Sequence, residues 1–478
     1  MNARSTLFLL ALALSGCSSM APPLERPALP VATSFPEQPA GATGMAAVAL
    51  PQWQTFFVDE RLRQLITLAL QNNRDLKLAV LNIEQARTQF DLRRADQFPT
   101  VNAGVTWARQ PPTATTLASV YSAGVLVSAF ELDLFGRVRS LADAALAQYL
   151  ATEEARKAVQ ISLLATVANS YFALQGDEDL LRVTRQTLVT REDSYRLIKL
   201  RFDNGASSQM DLRQAESLLE SARVTLAQAT RQRALDENAL VLLLGQALPP
   251  DPAGTSRPKH VAPSLRDSRE GSFVEGRLPD LPVGLPSDVL LRRPDVRQAE
   301  QQLIAANASI GAARAAFFPR ISLTGSLGSA STELDGLFSG GLNAWSFTPQ
   351  LLQPIFDAGR NQSNLKLSEL NRDIAVAQYE RAIQSAFREV ADALAGRATL
   401  GEQLRAQQAQ LLAEQDRYLL AELRYRSGAA SYLDALDAQR SLFAAQQALV
   451  QVQTQYLQNL VTLYRVLGGG WTASLPNS

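Results

Sequence analysis

"RYRSGAASYLDALDAQRSL" (residues 424–442) and "RFDNGASSQMDLRQAESLL" (residues 201–219) are two versions of one turn. Arg424, Gly428, Ser431, Asp434, Ala438 and Leu442 each lie 223 positions after Arg201, Gly205, Ser208, Asp211, Ala215 and Leu219. In both copies a glycine breaks the chain, and a Ser-x-x-Asp capping box then opens a helix. A heptad seam follows: Leu212, Ala215, Leu219, Ala222, Leu226 and Ala229 in the first copy, Ala435, Ala438, Leu442, Ala445, Leu449 and Val452 in the second. The many small residues in this seam allow close helix approach.

The repetition reaches far beyond the turn. "RDLKLAVLNIEQARTQFDLRRADQFPTVNAGV" (residues 74–105) is echoed by "PDVRQAEQQLIAANASIGAARAAFFPRISLTG" (residues 294–325) at an offset of 220. Such a period is far too long for a solenoid, so half a molecule has been duplicated. Each half reads as helix, Phe-Pro junction, two strand-like runs, Gly-Arg, long helix, turn and long helix. Val101, Ala103, Val105 and Trp107 alternate with polar or small residues, as do Ile321, Leu323 and Leu327. The second strand of each half is less regular, around Phe130–Leu132–Leu134 and across residues 343–356, where Pro349 and Pro354 intervene. No proline lies between Pro112 and Pro249 or between Pro354 and Pro476. Residues 137–202 and 360–425 therefore each offer about 66 residues of helix, roughly 100 Å at 1.5 Å per residue.

The chain has 478 residues and zero formal net charge, which gives a nucleic-acid partner no electrostatic support. No stretch beyond the N-terminus is apolar enough for a transmembrane helix, so any membrane crossing must be by β-strands. The N-terminus reads as an export signal, with Arg4 before the apolar run "LFLLALAL". It ends in "LSGC", whose Cys17 is the only cysteine. That placement resembles a bacterial lipobox, in which the cysteine becomes the acylated (palmitate-bearing) first residue. With no thiol left after acylation, neither a disulfide nor a Cys-based metal site can form. Residues 20–51, rich in Pro and Ala, read as an extended tether.

Four strands per chain cannot close a barrel, and open edges in lipid leave backbone groups unpaired at several kcal/mol each. If the strands cross a membrane, the chain must oligomerise, and a β-cylinder should continue into a helical one. A soluble bundle with a small packed sheet is the competing architecture.

At this point the residues match a family. The duplicated plan, "LPVGLPSDVLLRRPDVRQAE" (residues 281–300), "ANASIGAARAAFFPRISL" (306–323), "VAQYERAIQSAFREVADAL" (376–394) and "LDAQRSLFAAQQALV" (436–450) resemble the TolC superfamily. The closer resemblance is to its OprM-like lipoprotein branch, the outer membrane factors of tripartite efflux pumps. The resemblance implies a homotrimer in the outer membrane, lipid-anchored, with a long periplasmic portion. Its twelve-stranded β-barrel would continue into a twelve-helix coiled-coil tunnel. It implies a periplasmic adaptor (membrane fusion protein) and an inner-membrane resistance-nodulation-division transporter as partners, outer-membrane lipid as surroundings, and multidrug resistance as output. The expected divisions are a signal peptide (residues 1–16), an anchored extension (17–58), a first repeat (59–248), an equatorial connection (249–286), a second repeat (287–467) and a tail (468–478).

The resemblance also makes the two turns a periplasmic tip that closes the entrance. Gly205 and Gly428 would reverse the chain; Asp211 and Asp434 have capping duty and a place at the gate. Leu433 matches an apolar constriction position, Asp437 a selectivity aspartate, Arg440 a gate-proximal arginine and Tyr425 a latch between helices. Ala430 stands where one branch has a latching arginine. Asp437 lies past the cap, where the first copy has Gln214, so capping does not explain it. Asp434 and Asp437 share a helix face, and threefold symmetry would gather six carboxylates, an arrangement that favours cations in pores.

An enzyme is not expected. The single histidine, His260, has no triad or ligand cluster around it in sequence, and no phosphate-binding loop, cofactor site or metal site is visible beyond the lipid on Cys17. Alternatives of the same architecture are a duct for metal ions or secreted protein, or a non-conducting envelope lipoprotein.

Overall fold

The computed structural model describes residues 19–36, 51–113, 116–250, 278–279, 281, 287–339 and 342–469. Cys17, His260, Trp471 and most of the 249–286 connection lie outside them. The first half runs α1 (Trp53–Phe56), α2 (Glu60–Asn72), α3 (Arg74–Ala95), β1 (Val101–Thr113), β2 (Thr116–Leu132), α4 (Arg137–Asp203) and α5 (Gln209–Leu244). After a 3-10 turn (Ser287–Arg292), the second half runs α6 (Pro294–Ala315), β3 (Arg320–Ser331), α7 (Gly336–Ser339), β4 (Leu342–Leu352), α8 (Arg360–Arg426) and α9 (Tyr432–Val466). The long helices α4 and α8 each have 67 residues. Two compact units form, and each draws on both halves of the chain. One takes residues to Pro30, Val80–Ala155 and Asp295–Ala382; the other takes Val31–Ala79, Arg156–Pro294 and Ile383–Ser478.

The first unit holds one antiparallel sheet of order β1-β2-β3-β4. Its register explains the strand patterns. Ala103, Val125, Leu327 and Trp345 lie in one row, and Val101, Val127, Gly325 and Phe347 in another. On the same face Trp107 stacks on Tyr121 at 6.4 Å between centroids. The opposite face carries hydroxyl pairs, Thr106 with Ser122 and Ser326 with Ser346. One apolar face and one polar face is the alternation of a membrane β-strand. No described helix is long and apolar enough to cross a membrane.

The irregular second strand has a specific cause. The register shifts between Val127 and Phe130, where Ala129 takes φ 50°. This bulge inserts one residue, so the apolar positions change from odd (Tyr121, Val125, Val127) to even (Phe130, Leu132). Leu134 and Phe356 fall outside the strands. Pro349 lies within β4, paired with Leu323, so the proline does not end the strand. At the junction below, Glu131 accepts two hydrogen bonds of 2.7 Å from Arg137 and pairs with Arg320 at 2.8 Å. One carboxylate thus ties the end of β2 to the starts of α4 and β3.

The segment read as an extended tether begins within a described arm, residues 19–36, which lies along other elements. In the first unit Asn307 donates to the Pro22 carbonyl at 2.8 Å, and Arg26 pairs with Glu300 at 2.8 Å. In the second, Ser287 donates its amide to Thr33, and Phe35 stacks on Phe387. The arm is extended, as its Pro-rich composition dictates, but it is docked.

In the second unit the helices pack along the expected seam: Ala215, Leu219, Ala222 and Ala229 are buried, as are Ala435, Ala438, Ala445 and Val452. Asp59 caps α2 through the Leu62 amide and accepts from the Tyr171 hydroxyl at 2.8 Å. Tyr464 stacks on Phe56 at 4.0 Å and donates to the Pro51 carbonyl. Between α4 and α5, burial pushes the Asp177 carboxyl up to about 7, with a hydrogen bond and repulsion from Asp236 adding to it and Arg233 opposing. The folded value lies above the ordinary 3.8, so the folded state holds the extra proton and loses stability as pH rises from about 4 to about 7. Asp177→Asn should therefore raise the thermal midpoint more at pH ~8 than at pH ~5, with the gain gone below pH ~4; scanning calorimetry at the three pH values checks it.

Candidate functional site

The two turns are built alike. After α4, the Ala206 amide donates to Arg201 O at 2.7 Å and the Gly205 amide to Phe202 O at 2.9 Å. After α8, Ala429 donates to Arg424 O at 2.9 Å and Gly428 to Tyr425 O at 3.1 Å. Each is a Schellman motif, which needs a left-handed residue after the helix. Gly205 and Gly428 supply it at φ 74° and 76°. A Cβ at either would meet nothing within 4 Å, so backbone conformation alone requires glycine.

The capping boxes follow. Ser208 Oγ accepts from the Asp211 amide at 3.1 Å, and Asp211 Oδ2 accepts from the Ser208 amide at 3.2 Å. Ser431 and Asp434 make the same pair at 3.3 and 3.2 Å. Ser207 donates a further bond to Asp211 at 3.1 Å. Its counterpart is Ala430, so Asp434 lacks that donor. Desolvation raises the Asp211 carboxyl, but the bonds from Ser208 and Ser207 outweigh it and hold it below 3.8.

The second turn carries polar chemistry that the first lacks. Asp437 pairs with Arg417 of α8, and Arg417 also reaches Glu414 at 3.1 Å and Ser441 Oγ at 3.2 Å. The Asp437 hydrogen bond raises the Arg417 guanidinium above its ordinary value. Asp437 thus has a structural duty that sequence reasoning did not find: it straps α9 back to α8. The equivalents of Asp437 and Arg417 in the first half are Gln214 and Ser194, so both partners of the ion pair belong to one copy. Both side chains are about half exposed, and such a pair stabilises by at most about 1 kcal/mol. Its larger effect is to neutralise half of the carboxylate pair on this face.

Other contacts hold the two hairpins together. Arg201 donates to the Tyr425 hydroxyl at 2.5 Å and lies over the Tyr425 ring at 5.1 Å. Tyr425 packs on Tyr432 at 5.3 Å. Burial pushes the Tyr432 hydroxyl well above its ordinary value, with Tyr425, Asp211 and Tyr418 adding to it. Further along, buried Arg191 donates to Leu218 O at 2.8 Å and lies over the Phe443 ring at 5.1 Å. Burial, and then the charge of Arg440, lower its guanidinium. Leu433, Asp434, Asp437 and Arg440 are all exposed on the first turns of α9. Sequence reasoning missed Arg201, Arg417, Tyr432 and Arg191. Ser194, Gln209 and Glu414 stand at the equivalents of Arg417, Tyr432 and Arg191, so comparing the halves position by position marks three of the four, whereas Arg201 has an arginine, Arg424, as its counterpart.

Removing a cap side chain costs about 1 kcal/mol of local helix stability. Ser431→Ala should accordingly speed hydrogen exchange of the Asp434 amide about fivefold, read by exchange mass spectrometry, with the amides of α5 unchanged.

A family model described as "Outer membrane efflux protein" matches residues 65–246 and 285–469, one stretch in each half. The toluene efflux pump outer membrane protein TtgC of Pseudomonas putida is 46% identical over 476 residues, spanning 98% of this chain and 95% of that protein. The outer membrane protein OprJ of Pseudomonas aeruginosa is 47% identical over 475 residues, spanning 97% and 95%. Among solved structures, the open state of the Neisseria gonorrhoeae MtrE outer membrane channel superposes with a TM-score of 0.83 at 39% identity, covering 95% of this chain and 98% of that one. CusC gives 0.82 at 40% identity, covering 95% and 100%. The four-stranded sheet and paired long helices are one chain's share of such a channel, and this chain belongs to the outer membrane efflux protein family.

Proposed function

We propose that the protein is the outer-membrane exit duct of a tripartite efflux pump, passing on organic solvents, antibiotics and similar small toxic compounds. The observation that carries this reading is the direct run from an apolar-faced sheet into 67-residue helices, β2 through the Glu131 junction into α4 and β4 into α8. The relatives' own roles in toluene, solvent and antibiotic efflux support the cargo class. Three copies close the barrel: each supplies four strands, and the edges β1 and β4 pair between neighbours. The partners are a periplasmic adaptor and an inner-membrane proton-driven transporter, and the protein does passive conduction rather than enzymatic chemistry. Cys17 carries the lipid that anchors the arm in the outer membrane.

The paired turns are the gate. At rest, Arg201 and Tyr425 join the two hairpins and Leu433 narrows the entrance. Asp434 supplies a carboxylate in each copy, while Arg417 masks Asp437. Engagement of the adaptor and transporter separates the hairpins, which breaks the Arg201–Tyr425 bond while the caps and Schellman turns stay intact, because those lie within single hairpins.

Deleting the gene should lower resistance to antibiotics, solvents and dyes at least fourfold in susceptibility assays; unaltered resistance in a strain without parallel pumps refutes the function. In planar bilayers, Tyr425→Phe keeps the ring but loses the hydroxyl and should raise resting conductance. Asp434→Ala with Asp437→Ala should reduce cation selectivity. Arg417→Ala unmasks Asp437 and should increase it, an opposite sign that a merely structural role for the pair does not produce.

A further inference from the structure

A groove lies at the helix–strand junction of the second half. Met20, Arg314, Phe317, Phe318 and Leu365 line this shallow, open groove of about 510 Å³. Its lining is almost wholly apolar, and it sits just before β3, which begins at Arg320. The walls are fixed. Phe318 stacks on Phe135 at 4.8 Å. The Ala316 and Phe317 carbonyls accept from Asn361 and Gln353, each at 3.1 Å.

The N-terminal arm is steered into this groove. Ala21 passes so close over α6 that a Cβ on Gly311 would sit 2.7 Å from its amide nitrogen. Arg314 donates to the Met20 carbonyl at 3.3 Å, and Ser19 Oγ lies 3.1 Å from Ser140 Oγ. The first half has Asp91 where Gly311 lets the arm pass, and Gln97 and Ala142 where Phe317 and Leu365 line the groove. A chain has two copies of this junction but one N-terminus. Only the copy under the arm has both the passage and the apolar lining.

We propose that this groove binds a fatty-acyl chain of the lipid carried by Cys17. The inference rests on the reading that Cys17 is acylated. Cys17 stands three positions before Met20, so chain geometry keeps its Cα within about 11 Å of the Met20 Cα at the groove's edge. A chain held there enters the bilayer along the protein at the level where the strands begin. The acyl group serves as part of the packed surface as well as an anchor.

The test grows cells on a palmitate analogue bearing a diazirine and an alkyne, irradiates them, and maps adducts on the full-length protein by mass spectrometry. The expected result is label on the Cys17 peptide and crosslinks to the peptides of Phe317–Phe318 and Leu365. Phe317→Gln with Leu365→Ala, the residues of the first half, should lower those crosslinks at least fivefold while acylation of Cys17 is unchanged. Absence of acyl label on Cys17 overturns the lipidation reading and the proposal together. Acylated Cys17 with crosslinks elsewhere, as when a second copy covers the groove, overturns the groove alone. So do crosslinks that the double substitution leaves unchanged. Crosslinks that persist when the chain is exported by a leader without Cys17 assign the groove to free membrane lipid, which also refutes the proposal.

Discussion

Everything in this chain answers to the backbone groups on the outer edges of β1 and β4. A sheet with one apolar face belongs in hydrocarbon, where an unpaired amide or carbonyl costs several kcal/mol. Four strands pair six of their eight sides and leave two bare. The prolines of the sheet, Pro111, Pro112 and Pro349, occur in those two edge strands. Closure must come from other copies of the chain. The duplicated hairpins supply strands in antiparallel pairs, and each pair delivers its polypeptide to the start of a long helix. Membrane strands and tunnel helices therefore come in fixed proportion, two strands to each helical hairpin.

The sequence reveals the architecture because its largest features are repeated and periodic. The Schellman glycines, the capping boxes and the heptad seam are local, backbone-driven motifs, and all stand where the sequence places them. The long helices differ from expectation by one residue each. The strand pattern is least legible at β2, where the Ala129 bulge reverses the parity of the alternation and hides a strand of 17 residues. No local pattern marks a bulge. The docked arm was equally hidden, since a Pro-rich segment has the same composition whether it lies in solvent or along a helix.

At the turns, residue types were legible and partnerships were not. Tyr425, Asp434 and Asp437 stand out by motif or by difference from the first copy. Arg417 lies 20 positions from Asp437, an interval fixed by how the hairpin folds back rather than by any helical period. Arg201 lies 224 positions from Tyr425. Duplication created two equivalent hairpins, and later divergence gave ion pairing and aromatic hydroxyls to one of them. The first hairpin lacks that ion pair and those hydroxyls, and has one extra serine on its cap. It supplies instead the guanidinium of Arg201, which bonds Tyr425 of the second.

The equal length of α4 and α8 makes the pair a measuring device. A single residue inserted in either would advance its turn by about 1.5 Å and rotate it by about 100°, carrying Arg201 or Tyr425 away from its partner. Any change of length in one helix must be matched in the other. The two halves do differ by three residues between their Phe-Pro junctions and their Gly-Arg junctions, 40 positions against 37. The difference falls among the strands and their loop, where α7 lies between β3 and β4. Length can drift at that end because nothing there has to meet a counterpart at a set distance. The helices keep a common gauge, and the strand loops absorb the tolerance.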